Sequence, residues 1–248
     1  MFPFRDHNPS SRWPFVTWAL IAVNVAVFLI MLPAMGNERE LYRIYNTYAL
    51  VPAEFMAGYD RWTLLTSMFM HAGWMHLLGN MLFLYVYGDN LEDQLGHVPF
   101  LLFYLAAGAA GDLAQIAADP NSRVANLGAS GAIAGVMGGY LLLFPRAKID
   151  ILLIIVIFIR IITLPAFAVL GFWFGLQLVM GWGSSAAGGG VAYWAHAGGF
   201  AAGLLLILPL WLRRGGPRFW NRTDGHPPNP AAVNRWSGTR VPQVARRR

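Results

Sequence analysis

The sequence predicts an all-α polytopic membrane protein, a bundle of six transmembrane helices. Three observations carry that prediction. Hydrophobic residues make up 56% of the chain and charged residues only 12%, about half the charged share of an ordinary soluble domain. Apolar runs long enough to span about 30 Å as helix, which takes roughly 20 residues, recur along the chain. Nine of the 18 Lys and Arg lie beyond Trp211, directly after the last apolar run, where topology puts them.

Residues 1–12 form a short polar segment with Arg5 and Arg12, read as cytoplasmic. The first helix runs from about Trp13 to Leu32. Only two arginines precede it and no clear small-residue cleavage site follows, so it reads as a retained helix. Residues 33–72 mix charges, aromatics and the apolar patch Leu64 to Met70, which is too short to span. Such a segment is expected to lie in the bilayer interface. The second helix runs from about Gly73 to Asp93, the third from Phe100 to Ala118 and the fourth from Leu127 to Phe144. Pro120-Asn121-Ser122 supplies the turn between the last two.

Between Ile149 and Met180 the apolar run exceeds one span, and Arg160 and Pro165 interrupt it. The fifth helix is expected at about Leu164 to Met180. Residues 149–163 then read as an interfacial or buried approach, with a seventh short span as the alternative. Gly181 to Gly190 reads as a flexible connection, and the sixth helix as about Ala192 to Leu212. These spans form one membrane domain, residues 13–212. The basic tail, 213–248, is rich in Arg, Pro, Gly and Asn and is expected to be disordered.

The amino end, the 145–150 turn and the tail carry 13 of the 18 Lys and Arg if all lie on one side. By the positive-inside rule that side is cytoplasmic, so both termini are expected in the cytoplasm, and the protein is expected in a plasma (inner) membrane. The net charge of +6 is then explained by topology rather than by a nucleic-acid partner. Cysteine is absent, which excludes disulfides, thiolate metal sites and a cysteine nucleophile.

Chemistry points to one depth in the bundle. With six spans and the amino end inside, the second, fourth and sixth helices all start on the outer side. At about 1.5 Å per residue, His76, Ser130 and His196 lie roughly one turn in and Asn80 two. His76 and Asn80, four apart, share a face. Gly128-Ala129-Ser130-Gly131 on its own reads as a small-residue packing motif, and a lone intramembrane His or Asn as a helix-to-helix hydrogen-bond partner. Four polar groups at one depth from three helices mark a functional site instead. Ser130 and His196 have the types for a nucleophile and its general base. His76, Asn80 and the Ser130 backbone N–H could stabilise an oxyanion. No carboxylate stands ready to orient His196, which makes the pair a dyad, and Asp112 in the third helix has no assigned role.

The set His71-Ala72-Gly73-Trp74-Met75-His76-Leu77-Leu78-Gly79-Asn80, then Gly128-Ala129-Ser130-Gly131, then Ala195-His196-Ala197-Gly198-Gly199 with Gly203 four further on, resembles the rhomboid intramembrane serine proteases. The resemblance covers roughly residues 13–212. It implies a six-helix rhomboid-like bundle that cuts transmembrane protein substrates within or beside the bilayer, with no metal and no cofactor. It also implies Ser130 as nucleophile, His196 as base, and His76, Asn80 and the Ser130 N–H as oxyanion hole. His71 matches a histidine that supports the loop. Gly128, Gly131, Gly199 and Gly203 match structural glycines near the site, and Gly88, Glu92 and Gly96 a structural pattern at the inner end of the second helix.

Two departures stand out. Arg61-Trp62 reverses the family's Trp-Arg pair, and Ala134 stands where some members carry a tyrosine that packs on the histidine, so another side chain must orient His196. Three rivals remain. A metalloprotease using His71, His76 and His196 lacks an HExxH pair. A non-catalytic relative that binds transmembrane clients would typically lack the serine or histidine. A transporter would need duplicated halves or paired broken helices.

Overall fold

A computed structural model describes residues 2–155, 158–183 and 191–228. A helix overlaps each of the six predicted stretches: α1 (Phe15–Met31), α5 (Trp74–Leu95), α6 (His97–Ala118), α7 (Ser130–Leu143), α8 (Ala166–Gly183) and α9 (Tyr193–Arg213). Three shorter helices, α2 (Glu38–Tyr48), α3 (Pro52–Met56) and α4 (Thr63–Thr66), lie in the long connection after α1. Among the described residues four helices are long and apolar enough to cross a membrane: Phe15–Gly36, His97–Ala118, Ala166–Gly183 and Tyr193–Arg213. The other two differ for local reasons. α5 carries Asp89, Glu92 and Asp93 near its end, and α7 has only 14 residues.

The centre of the bundle is α7, of whose 14 residues 11 are buried. Small side chains let two other backbones close on it. A Cβ on Gly199 would overlap the Gly131 carbonyl oxygen, one on Gly203 the Gly135 oxygen, and one on Gly138 the Phe200 oxygen. Gly111 of α6 likewise abuts the Ala195 oxygen, where a Cβ would come within 2.5 Å. Direct backbone contact of this kind leaves no room for any side chain, so α6, α7 and α9 are held at a fixed spacing.

At the end of the bundle opposite Ser130, Glu92 is 1% exposed and caps α1 from a neighbouring helix. Its carboxylate accepts from Val16 N at 2.8 Å, from Thr17 N and Thr17 Oγ1 at 2.7 Å, and contacts His97 Nδ1 at 2.6 Å. It thus satisfies donors that the first turn of α1 leaves unpaired. Gly88 lets Thr17 approach, since a Cβ there would lie 3.0 Å from Thr17 Cγ2, and Gly96, at φ +83°, makes the abrupt turn into α6.

The fold departs from the all-α expectation in the stretch 149–163. The segment expected as an interfacial or buried approach belongs to a hairpin, β2 (Lys148–Ile155) and β3 (Phe158–Pro165), paired antiparallel, so it is not a seventh helical span. Strand β1 (Phe2–Asp6), from the segment expected only to be polar, adds to β2 and gives the order β1-β2-β3. The run is dense in isoleucine, and β-branched residues favour the pleated surface over a helix. Asp150 pins the sheet: it is buried and accepts from Arg5 Nη2 at 2.6 Å, from His7 Nε2 at 2.8 Å and from Thr163 Oγ1 at 2.6 Å.

The beginning of the tail also departs from expectation. Residues 217–223 form α10 (Pro217–Thr223), which buries Phe219 and donates the Trp220 indole N–H to Leu142 O at 2.8 Å. Arg146 pairs with Asp224 and its N–H bonds Gly225 O, so the segment docks on the α7–β2 turn. The rest of the tail expected to be disordered, 229–248, and residues 184–190 of the expected flexible connection lie outside the described residues.

Candidate active site

The loop before α7 sets Ser130 in place. Gly128 has φ +131°, a value that L side chains rarely adopt, and a Cβ there would stand 2.8 Å from the His76 ring. Its N–H is held by Ser67 O at 2.9 Å. Ser130 then opens α7, whose first N–H groups have no acceptor within the helix.

Three of the predicted segments meet at this point. Ser130 Oγ lies 2.7 Å from His196 Nε2 across the α7–α9 contact, within the range of a strong hydrogen bond. His76 and Asn80 line the same cavity from α5, one turn apart. Ala72 N–H makes a long 3.4 Å contact to His76 Nδ1, which leaves Nε2 as the ring's N–H-bearing nitrogen. Asn80 uses one amide N–H on His76 O at 3.0 Å and keeps a second. His71 is fully buried and meets His76 edge-on, ring centroids 5.0 Å apart, behind the cavity wall. The cavity, about 580 Å³, also takes in Tyr45, Phe83, Asn126, Met137 and Val191. It combines an apolar lining with a few convergent polar groups, the usual character of a binding cleft.

Several residues with a part in this arrangement were not singled out from sequence. Gln177 Oε1 lies 2.8 Å from His196 Nδ1, and the Trp173 ring sits 5.7 Å from the imidazole at an interplanar angle of 31°. Trp173 thus comes from α8 to the imidazole, on which no side chain from Ala134 could pack. The available signal was the polarity of Gln177 in an otherwise apolar helix. Asp112 accepts from Ser67 Oγ at 3.2 Å and from Asn126 Nδ2 at 2.8 Å. It therefore ties α6 to both the turn that holds Gly128 and the cavity wall. In the reversed pair, Trp62 Nε1–H donates to Thr47 O at 3.1 Å and the Arg61 guanidinium lies over the Phe55 ring. Both ring nitrogens of His196 have partners within the protein, Nδ1 at Gln177 Oε1 and Nε2 at Ser130 Oγ. Among the described residues no group of three or more His, Cys, Asp or Glu is placed to hold a metal ion.

The family model described as the Rhomboid domain matches residues 59–213, more than half of the chain. The chain belongs to the rhomboid family. It is accordingly an integral, multi-pass membrane protein whose surroundings are a lipid bilayer, in a family that includes serine proteases. Among its relatives, Rhomboid protein 1, mitochondrial, of Saccharomyces cerevisiae is 32% identical over 198 residues, covering 77% of this chain and 51% of that protein. RHOMBOID-like protein 6, mitochondrial, of Arabidopsis thaliana is 33% identical over 168 residues, 55% of this chain and 54% of that one. Rhomboid protease GluP of Bacillus subtilis is 34% identical over 133 residues, 52% of this chain and 24% of that one. This rhomboid spans about half the length of the first two of these relatives.

Proposed function

We propose that this rhomboid is an intramembrane serine endopeptidase that cleaves transmembrane protein substrates through a Ser130–His196 dyad. The observation that carries the reading is the 2.7 Å contact between Ser130 Oγ and His196 Nε2 at the edge of the cavity. A substrate helix unwinds near its outer end and presents an extended segment to Ser130. His196 Nε2 takes the hydroxyl proton as Oγ attacks the carbonyl carbon. The resulting oxyanion is stabilised by His76, Asn80 and the Ser130 N–H, donors fixed before the reaction starts. Collapse breaks the C–N bond, and His196 returns its proton to the departing amine. Water, activated by the same imidazole, then hydrolyses the acyl-enzyme and frees Ser130. No cofactor enters this sequence.

The reading includes six membrane-spanning helices, α1 and α5 to α9, with the cavity toward the outer leaflet and both termini in the cytoplasm. Support comes from charge: Arg5, Arg12, Arg146, Lys148, Arg213, Arg214, Arg218 and Arg222 belong to the sheet and α10 end, against Arg39, Arg43, Arg61 and Arg123 at the other. The test is labelling of the solubilised protein with a fluorophosphonate and mass spectrometry of the modified residue. Label at Ser130 that disappears in His196→Ala is expected. Folded wild-type protein that takes no label overturns the protease reading in favour of client binding without cleavage.

A further inference from the structure

We infer that Gln177 is a positioning residue that sets the tautomer of His196, completing a neutral Ser130–His196–Gln177 relay in place of a carboxylate triad. The inference rests on the Ser130–His196 reading above and adds to it the group that makes the imidazole competent.

The argument starts from the amide itself. Gln177 is 8% exposed, and both ends of its side chain are engaged. One end lies 3.3 Å from Trp173 O, one helical turn earlier on α8, and the other lies 2.8 Å from His196 Nδ1. A backbone carbonyl only accepts, so the end facing Trp173 O must be the NH2 group. The end facing His196 is therefore the amide oxygen, which also only accepts. His196 Nδ1 must then carry a proton, and in the neutral ring Nε2 is left with its lone pair directed at Ser130 Oγ. That tautomer is the one a general base needs, and the series of hydrogen bonds that ends at the acceptor Trp173 O fixes it.

The neutrality of Gln177 has a physical rationale. A carboxylate in this apolar helix would have to be desolvated, which its attraction to the imidazolium only partly offsets. An amide orients the ring without that cost, and gives up the charge that would stabilise the imidazolium formed during attack. Trp173 adds the second restraint, packing against the imidazole from the same helix. Since Trp173 and Gln177 are four residues apart, one face of α8 supplies both the ring contact and the hydrogen bond.

Two measurements on the full chain in detergent test this. The first is 15N NMR of histidine-labelled protein, with the His196 signals assigned by their absence in His196→Gln. It reads the tautomer whether or not the protein is active. The Nδ1-protonated form is expected in wild type and a mixture of tautomers in Gln177→Leu. The second is the pH dependence of Ser130 labelling by a fluorophosphonate. Gln177→Leu should label about 10- to 100-fold more slowly, the scale of a loosened catalytic geometry.

Gln177→Glu should recover labelling above neutral pH, with the acid limb of its profile moved upward. The reason is that a carboxylate on Nδ1 favours the charged imidazolium and so raises the pH at which the base is free. Gln177→Leu with wild-type melting temperature, tautomer and profile would overturn the inference, as would Gln177→Glu behaving like Gln177→Leu at every pH. Failure of the underlying dyad looks different: wild-type Ser130 takes no label while the histidine spectrum still reads the tautomer.

Discussion

Replacing Gly199 with alanine asks whether backbone contact between α7 and α9 holds the serine and histidine in register. An added Cβ would overlap the Gly131 oxygen and stand 2.9 Å from the Gly131 carbonyl carbon and 3.3 Å from its Cα. All three are backbone atoms and none can rotate aside. Ordinary contact begins near 3.4 Å, so the two helices have to part by about 1 Å, an overpacking strain of about 1–3 kcal/mol. His196 lies one turn before Gly199 and Ser130 one residue before Gly131. The same displacement therefore stretches the 2.7 Å Ser130–His196 contact beyond hydrogen-bond reach.

The expected outcome is a fluorophosphonate labelling rate down by about 100-fold together with a lower melting temperature in detergent. Gly171→Ala and Gly175→Ala are the controls, since a Cβ at either position meets nothing within 4 Å. They should keep the wild-type rate and melt at the same temperature or slightly higher, because Ala is the better helix former by about 0.5–1 kcal/mol. A Gly199→Ala protein that labels at the wild-type rate would refute the backbone-contact argument, whatever its stability.

Loss of one oxyanion donor in Asn80→Ala should slow cleavage of a single-pass reporter in proteoliposomes by about 10- to 1,000-fold, and an unchanged rate would remove Asn80 from the site. Glu92→Ala leaves the Val16 and Thr17 donors and His97 unpaired, so it should destabilise the fold by about 3–5 kcal/mol while Glu92→Gln loses less; equal melting temperatures would contradict the capping role. Burial, with the nearby Asp89, raises Asp6 from its ordinary 3.8 to about 7. The unfolded chain thus ionises first, and stability should fall as pH rises from about 4 to 7. Asp6→Asn should flatten that slope in melting curves across the same range. At Asp150 burial is outweighed by hydrogen bonds from Thr163, His7 and Arg5, which hold the carboxyl at about 2. Its contribution should therefore persist above pH 4 and disappear as pH falls toward 2, so that Asp150→Asn is destabilised at neutral pH and nearly equal to wild type in strong acid.

The amino-acid sequence alone determined the features that depend on neighbours along the chain. Hydropathy placed a helix within a few residues of each of the six expected stretches; among the described residues four of these are apolar runs of span length, which have few other ways to satisfy their backbone. Spacing put His76 and Asn80 on one face and His196 one turn into its helix, while Ser130, expected one turn in, is the first residue of α7; Gly131, Gly199 and Gly203 marked the surfaces that close on one another. Only the tertiary structure decided what depends on segments far apart in the chain. The Ile-rich stretch after Lys148, expected as an interfacial or buried approach or a short span, is a strand beside β1, which lies more than 140 residues earlier and supplies Arg5 and His7 to Asp150. The tail helix α10 has too little apolar surface to fold by itself and is ordered by Leu142 and Arg146. Gln177 and Asp112 are isolated polar residues in apolar helices, and their partners His196, Ser67 and Asn126 sit on other elements. A buried polar group must find a partner, but local sequence does not say which one; the packing of α8 on α9 and of α6 under the loop before α7 makes that choice.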